Sequence, residues 1–127
     1  MGSTPTATSF GESMKLLGTY TIGTRTVRVY TDKKSGNGSF NLGDNRLVVG
    51  INAKDWWEVV NVLLHEATEM VMLDNRCRFA PSVDFGNSAD CYTFIMTHPQ
   101  FSEITGQVAN FLVQILPDLA KRYNKKC

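Results

Sequence analysis

The densest chemistry in the chain lies in "VLLHEATEM", residues 62–70. His65, Glu66 and Glu69 read H-E-x-x-E, one residue away from the H-E-x-x-H in which two histidines a helical turn apart hold a zinc ion. At about 100° per residue, Glu69 falls about 40° from His65 on a helical wheel and Glu66 about 100°. His65 and Glu69 therefore stack one turn apart and could both reach one metal ion. Glu58 and Asn61 share that side, while Trp56, Val60, Leu63, Ala67 and Val71 recur on the opposite, core-facing side. The same pattern also describes a solvated polar face whose i,i+4 His–Glu pair stabilises the helix by only about 0.2–0.5 kcal/mol.

A catalytic zinc site takes three protein ligands and leaves one position for water. The chain has two histidines, so His98 is the only further imidazole. It falls in "THPQ", 97–100, at the start of a second helix that could fold back over the first. The plainer alternative is a histidine that only helps to start that helix. Cys77, Cys91 and Cys127 contain no C-x-x-C pair. Their count excludes a four-cysteine zinc site, and their odd number suits reduced thiols in a cytoplasm. No G-x-S-x-G is present, and neither Cys77 nor Cys91 has a histidine partner set by local sequence, so serine or cysteine hydrolysis is not expected.

Those residues need elements to position them. Residues 1–14 are rich in Ser, Thr and Gly and read as a disordered leader or expression remnant ahead of a single domain, 15–127. "TYTI" (19–22) and "TVRVYT" (26–31) alternate as strands, with Val27 and Val29 on one face. "DKKSGNG" (32–38) is turn chemistry. "SFNL" and "RLVVGI" flank "GDN" as a hairpin, with Leu47, Val49 and Ile51 sharing a face. At Asn52 the period changes, and a helix is expected from about Lys54 to about Leu73, with Asn52 as N-cap and Asp55 in the first turn. Residues 74–90 read as a loop, with an irregular hairpin built from "CRFA" and "CYTFIM". Thr97 with Gln100 makes a capping box for the second helix, with Pro99 in its first turn. Phe101, Ile104, Val108, Phe111 or Leu112, and Ile115 form its stripe, and Pro117 ends or kinks it. "KRYNKKC" then places cations at a helix C-terminus, where the macrodipole favours them. The expected fold class is α+β: a small antiparallel sheet packed on the metal-site helix and a second long C-terminal helix.

Composition bounds the function. With 43% hydrophobic residues the chain can bury a core without disulfides or metal as a staple. A net charge of +1 speaks against nucleic acid as the main partner. No apolar run reaches the roughly 20 residues of a membrane span, and the N-terminus lacks a secretion-signal pattern. A cytoplasmic protein is expected.

The stretches "YTIGTRTVRVYTD", "NLGDNRLVVGI", "VVNVLLHEATEM" and "THPQFSEITGQVANFLVQIL" together resemble the minimal zincin-like proteins of phages and prophages, distant relatives of the ImmA/IrrE-type metallopeptidases. The resemblance covers residues 16–116 and is most specific in the LLHE helix. The 74–96 loop is longer than that family leads one to expect. The resemblance implies a zinc ion (Zn2+) held by His65, Glu69 and His98, with Glu66 as general base towards a metal-bound water. Asp90 or Asn61 would give further support around the ligands. The function so implied is a small zinc-dependent hydrolase, metallopeptidase-like. The alternative is a non-catalytic zincin-like module that acts by contacting a host or viral protein or peptide. Trp56 and Trp57 read as core plus rim, or else as anchors for such a partner.

Overall fold

The computed structural model describes residues 13–79 and 92–125. Alternating Val, Thr and Tyr residues pair first. β1 (Met14–Ile22) and β2 (Arg25–Asp32) form an antiparallel hairpin from Met14 opposite Asp32 to Ile22 opposite Arg25, with a shift of register between Leu16 and Gly18. Gly23 makes the tight reversal at φ +60°, a backbone region that favours glycine. β3 (Gly38–Asn41) and β4 (Arg46–Gly50) form the second hairpin, and Asn45 takes the left-handed position in its turn at φ 49°.

The two hairpins join through a parallel pairing of β2 with β4, so the sheet order is β1-β2-β4-β3. The fold is α+β as expected, and its sheet is mostly antiparallel: antiparallel at both flanks, with one parallel pairing at its centre. The cause lies in the 33–37 turn, which carries the chain across the end of β4 to the far edge before β4 returns beside β2. Backbone bonds tie that crossing down: Gly50 donates to the Asn37 carbonyl at 2.8 Å, Ile51 to Asp32 at 2.9 Å and Asn52 to Ser35 at 2.9 Å. A side chain at Gly50 would collide with the backbone of Ser35 and Asn37.

α1 (Trp56–Asp74) starts two residues later than expected, because Asp55 rather than Asn52 takes the N-cap position. The Glu58 carboxylate accepts from the Asp55 backbone N–H at 2.9 Å, which turns this acid back onto its own helix end. The buried stripe is Val59, Leu63, Ala67, Met70 and Val71, slightly rotated from the expected one, with Trp56 packed at the core's edge. β5 (Arg78–Phe79) and β6 (Thr93–Phe94) form a short antiparallel pair after it.

α2 (His98–Asn124) opens on the expected box. Thr97 Oγ1 accepts from the Gln100 N–H at 3.2 Å, and the Gln100 side chain accepts from the Thr97 N–H at 2.8 Å. Its buried stripe is Ile104, Val108, Phe111, Ile115 and Leu119, whereas Phe101 is exposed. Pro117 does not end this helix, which runs on to Asn124. Both helices pack against the sheet, where Val27, Val29, Leu47 and Val49 are fully buried. The leader assigned to residues 1–14 falls largely outside the described residues, and Met14 already belongs to β1. No helix among the described residues is long and apolar enough to cross a membrane.

Candidate functional site

On α1 the helical spacing does what geometry requires. His65 Nε2 lies 3.2 Å from Glu69 Oε2 and 3.8 Å from Glu66 Oε2. His65 is exposed and both carboxylates are largely covered. Glu66 is covered because β3 approaches α1 closely there. A Cβ built on Gly38 would stand 2.7 Å from both Glu66 Cγ and Val62 Cγ1, so only glycine permits that approach. Burial pushes the Glu66 carboxyl above its ordinary range; His65 opposes the shift and the Glu69 charge adds to it.

The partner of Glu69 is an arginine. Arg78, on β5, donates from Nη1 to Glu69 Oε1 at 2.6 Å. The other face of its guanidinium lies over the Tyr92 ring, 3.9 Å from the centroid. With His65 beside Oε2, both oxygens of Glu69 are engaged.

The expected zinc site does not form. Among the described residues no group of three or more His, Cys, Asp or Glu side chains is placed to hold a metal ion. Glu69 is neutralised by a cation from its own chain, and a metal ion would have to displace it. His98 is exposed at the first turn of α2, where its ring neighbours Phe101 at 6.4 Å, and it does not complete a site with His65 and Glu69. The ligand set His65, Glu69 and His98 is therefore not assembled among the described residues. Asp90 lies outside the described residues; Asn61 is exposed on the His65 side of α1.

What the face of α1 does carry is a pair of clefts that meet at Asn61 and His65. One, of about 300 Å3, is lined by Leu64, Thr68, Glu69, Met72 and Phe94 together with those two residues. The other, of about 380 Å3, is lined by Asn37, Gly38, Val62 and Glu66 with the same two. Leu64, Phe94 and Ile95 are 41%, 43% and 61% exposed, an apolar rim beside a polar helix face. Trp57, 64% exposed, lines a further hollow on the same helix with Asn61 and Val62, whereas Trp56 packs on Tyr123 at 5.5 Å between ring centres. Sequence reasoning missed Arg78, Tyr92 and Phe94 as parts of this face: Arg78 turns back onto α1 from the strand that follows it, and Tyr92 and Phe94 come from the return strand β6 and the residue before it. Its one available signal was Leu64, an apolar residue on the polar side of the wheel. No protein-family model, curated protein or solved structure matches the chain.

Proposed function

We propose that this protein is a binding module that takes a segment of a partner protein across the outer face of α1. The observation that carries the reading is the meeting of two clefts at Asn61 and His65, one apolar-rimmed and one polar. A groove with apolar walls and few polar groups is the usual form of a recognition site. An apolar partner side chain would enter between Leu64, Met72 and Phe94. Backbone or polar groups would meet Asn37, Asn61, His65 and Glu66. β3, at the edge of the sheet among the described residues, supports an extended partner, because an edge strand can pair its free backbone side with one. Glu69 is held by Arg78, so its charge is already spent within the chain and contributes shape more than attraction. A zinc-dependent hydrolase is not carried forward, because its ligands do not converge. A reducing cytoplasm is the proposed location, and the free thiol of Cys77 supports it.

The test is selection of peptides from a random extended library on the full chain, with a Leu64→Ser/Phe94→Ser variant as counter-selector. Peptides with a shared apolar anchor should bind the parent, lose at least about tenfold in affinity on the variant, and be recovered intact. Absence of peptides that discriminate the two proteins overturns the reading, and cleaved peptides would return it to hydrolysis.

A further inference from the structure

The other end of the molecule gathers cations that nothing in the groove explains. A cavity of about 200 Å3 lies where β1 and β2 meet the last turn of α2, and it is lined by Ser13, Lys15, Thr31, Lys33, Arg122 and Lys125, with Ile51 beside them. The pleat gathers these residues. Lys15 stands opposite Thr31 in the β1–β2 ladder, and Ser13 accepts the Lys33 backbone N–H at 3.1 Å. The ladder places Lys15 and Thr31 side by side, and Ser13 and Lys33 join them just beyond the paired strand ends. Arg122 and Lys125 close the cavity from the helix. Among the described residues no carboxylate lines it. Two described acids that neighbour the lining residues in sequence are turned to other partners: Asp32 accepts from the Lys34 N–H at 3.0 Å, and Asp118 accepts from the Tyr20 hydroxyl at 2.6 Å.

One ordinary explanation is that cations at a helix C-terminus answer the macrodipole. That dipole amounts to about half a negative charge, against four positive side chains in a chain whose net charge is only +1. The remainder is positive. Arg122 is also fixed in place. Its Nη1 donates to Thr31 Oγ1 at 2.8 Å and its Nη2 to the Leu16 carbonyl at 3.3 Å, both neutral acceptors. Thr31 is the buried polar residue of the sheet, at 2% exposure, and its hydroxyl oxygen holds the guanidinium while its hydrogen is left to donate.

We propose that this cavity is an anion site for a phosphate group, either free phosphate or a small phosphate monoester. Four cations around a cavity smaller than the roughly 300–1,000 Å3 of drug-sized clefts suit a compact dianion with several acceptor oxygens. A carboxylate would leave most of the charge uncompensated. A nucleic acid would need a basic stripe along a surface instead of one small pocket.

The experiment is a two-dimensional amide NMR titration of the full chain, near neutral pH, with inorganic phosphate and with glycerol 3-phosphate in separate arms. Sodium chloride at matched ionic strength is the reference. Saturable shifts are expected at Ser13, Lys15, Thr31, Lys33, Arg122 and Lys125. A Lys33→Gln/Lys125→Gln variant, which removes charge without touching a recorded hydrogen bond of either side chain, should weaken binding by about tenfold or more, the equivalent of one charge-assisted hydrogen bond. Its thermal midpoint should stay that of the parent. Tighter binding of the ester assigns the site to a monoester, and equal or tighter binding of inorganic phosphate assigns it to the free ion. Shifts that do not saturate, that chloride reproduces, or that the variant retains unchanged would each overturn the site.

Discussion

Arg78 is the residue that decides the chemistry of α1. Its bond to Glu69 at 2.6 Å joins two side chains that are 18% and 19% exposed, so removing one partner strands the other's charge where water reaches it poorly. Arg78→Ala should cost about 1–3 kcal/mol in urea unfolding. The double variant with Glu69→Gln should recover part of that loss; strictly additive costs would show that the pair is not coupled. The same pairing bears on metal. Calorimetric zinc titration should give no one-to-one binding in the parent and no difference in Glu69→Ala, whereas stoichiometric zinc that vanishes in that variant would restore the metal reading. Glu66 makes a prediction of opposite sign to most acids. Its folded pKa is raised, so over the window between the ordinary carboxylate range and that raised value the native state binds more protons than the unfolded one. Stability from this group is therefore present at low pH and lost as pH rises through the window. Glu66→Gln should raise the thermal midpoint near neutral pH and flatten this part of the pH profile. A midpoint that falls at neutral pH would mean the ionised carboxylate is stabilised where it lies.

At the scale of elements, the decisive feature is the crossing of the 33–37 turn over the end of β4. Gly50 accommodates it, because any Cβ there meets the backbone of Ser35 and Asn37 instead of a flexible side-chain tip. Gly50→Ala should lower stability by at least about 2 kcal/mol, read as a lower urea midpoint with an unchanged slope. A cost under about 0.5 kcal/mol would show that the turn can lift away. The start of α2 rests on a separate and smaller contribution. Thr97→Ala removes the acceptor of the Gln100 N–H and should cost about 1 kcal/mol, with faster amide exchange confined to the first turn of α2.

For the whole molecule, the two proposed surfaces share no lining residue: the groove uses α1, β3 and β6, and the cationic cavity uses β1, β2 and the end of α2. Effects on them should therefore be independent. Leu64→Ser/Phe94→Ser should leave phosphate affinity within about twofold of the parent, since distant sites add to within about 0.5 kcal/mol. Lys33→Gln/Lys125→Gln should likewise leave peptide affinity unchanged. Cross-effects larger than that would point to a shared conformational change through the sheet core.

Local pattern determined much of this protein. The alternation of Val27, Val29, Leu47 and Val49 marked the buried face of the sheet, and Thr97 with Gln100 marked the start of α2. Burial on a pleat and satisfaction of helix-end N–H groups are decided within a few residues, so they can be read directly. The stacking of His65 on Glu69 was legible for the same reason. Pro117 was legible only in part: the cations after it marked a helix end, but that the helix runs through the proline was not readable, because Leu119 is buried in the core and packing there outweighs the backbone bond that proline lacks. Nor was the parallel pairing of β2 with β4, which depends on a turn passing over another strand. The fate of Glu69 was the least accessible. Its spacing from His65 is a property of one helix, but its partner Arg78 arrives on β5, and where His98 lies depends on how α2 packs. Only the tertiary structure could decide whether that carboxylate faced a metal ion or a guanidinium.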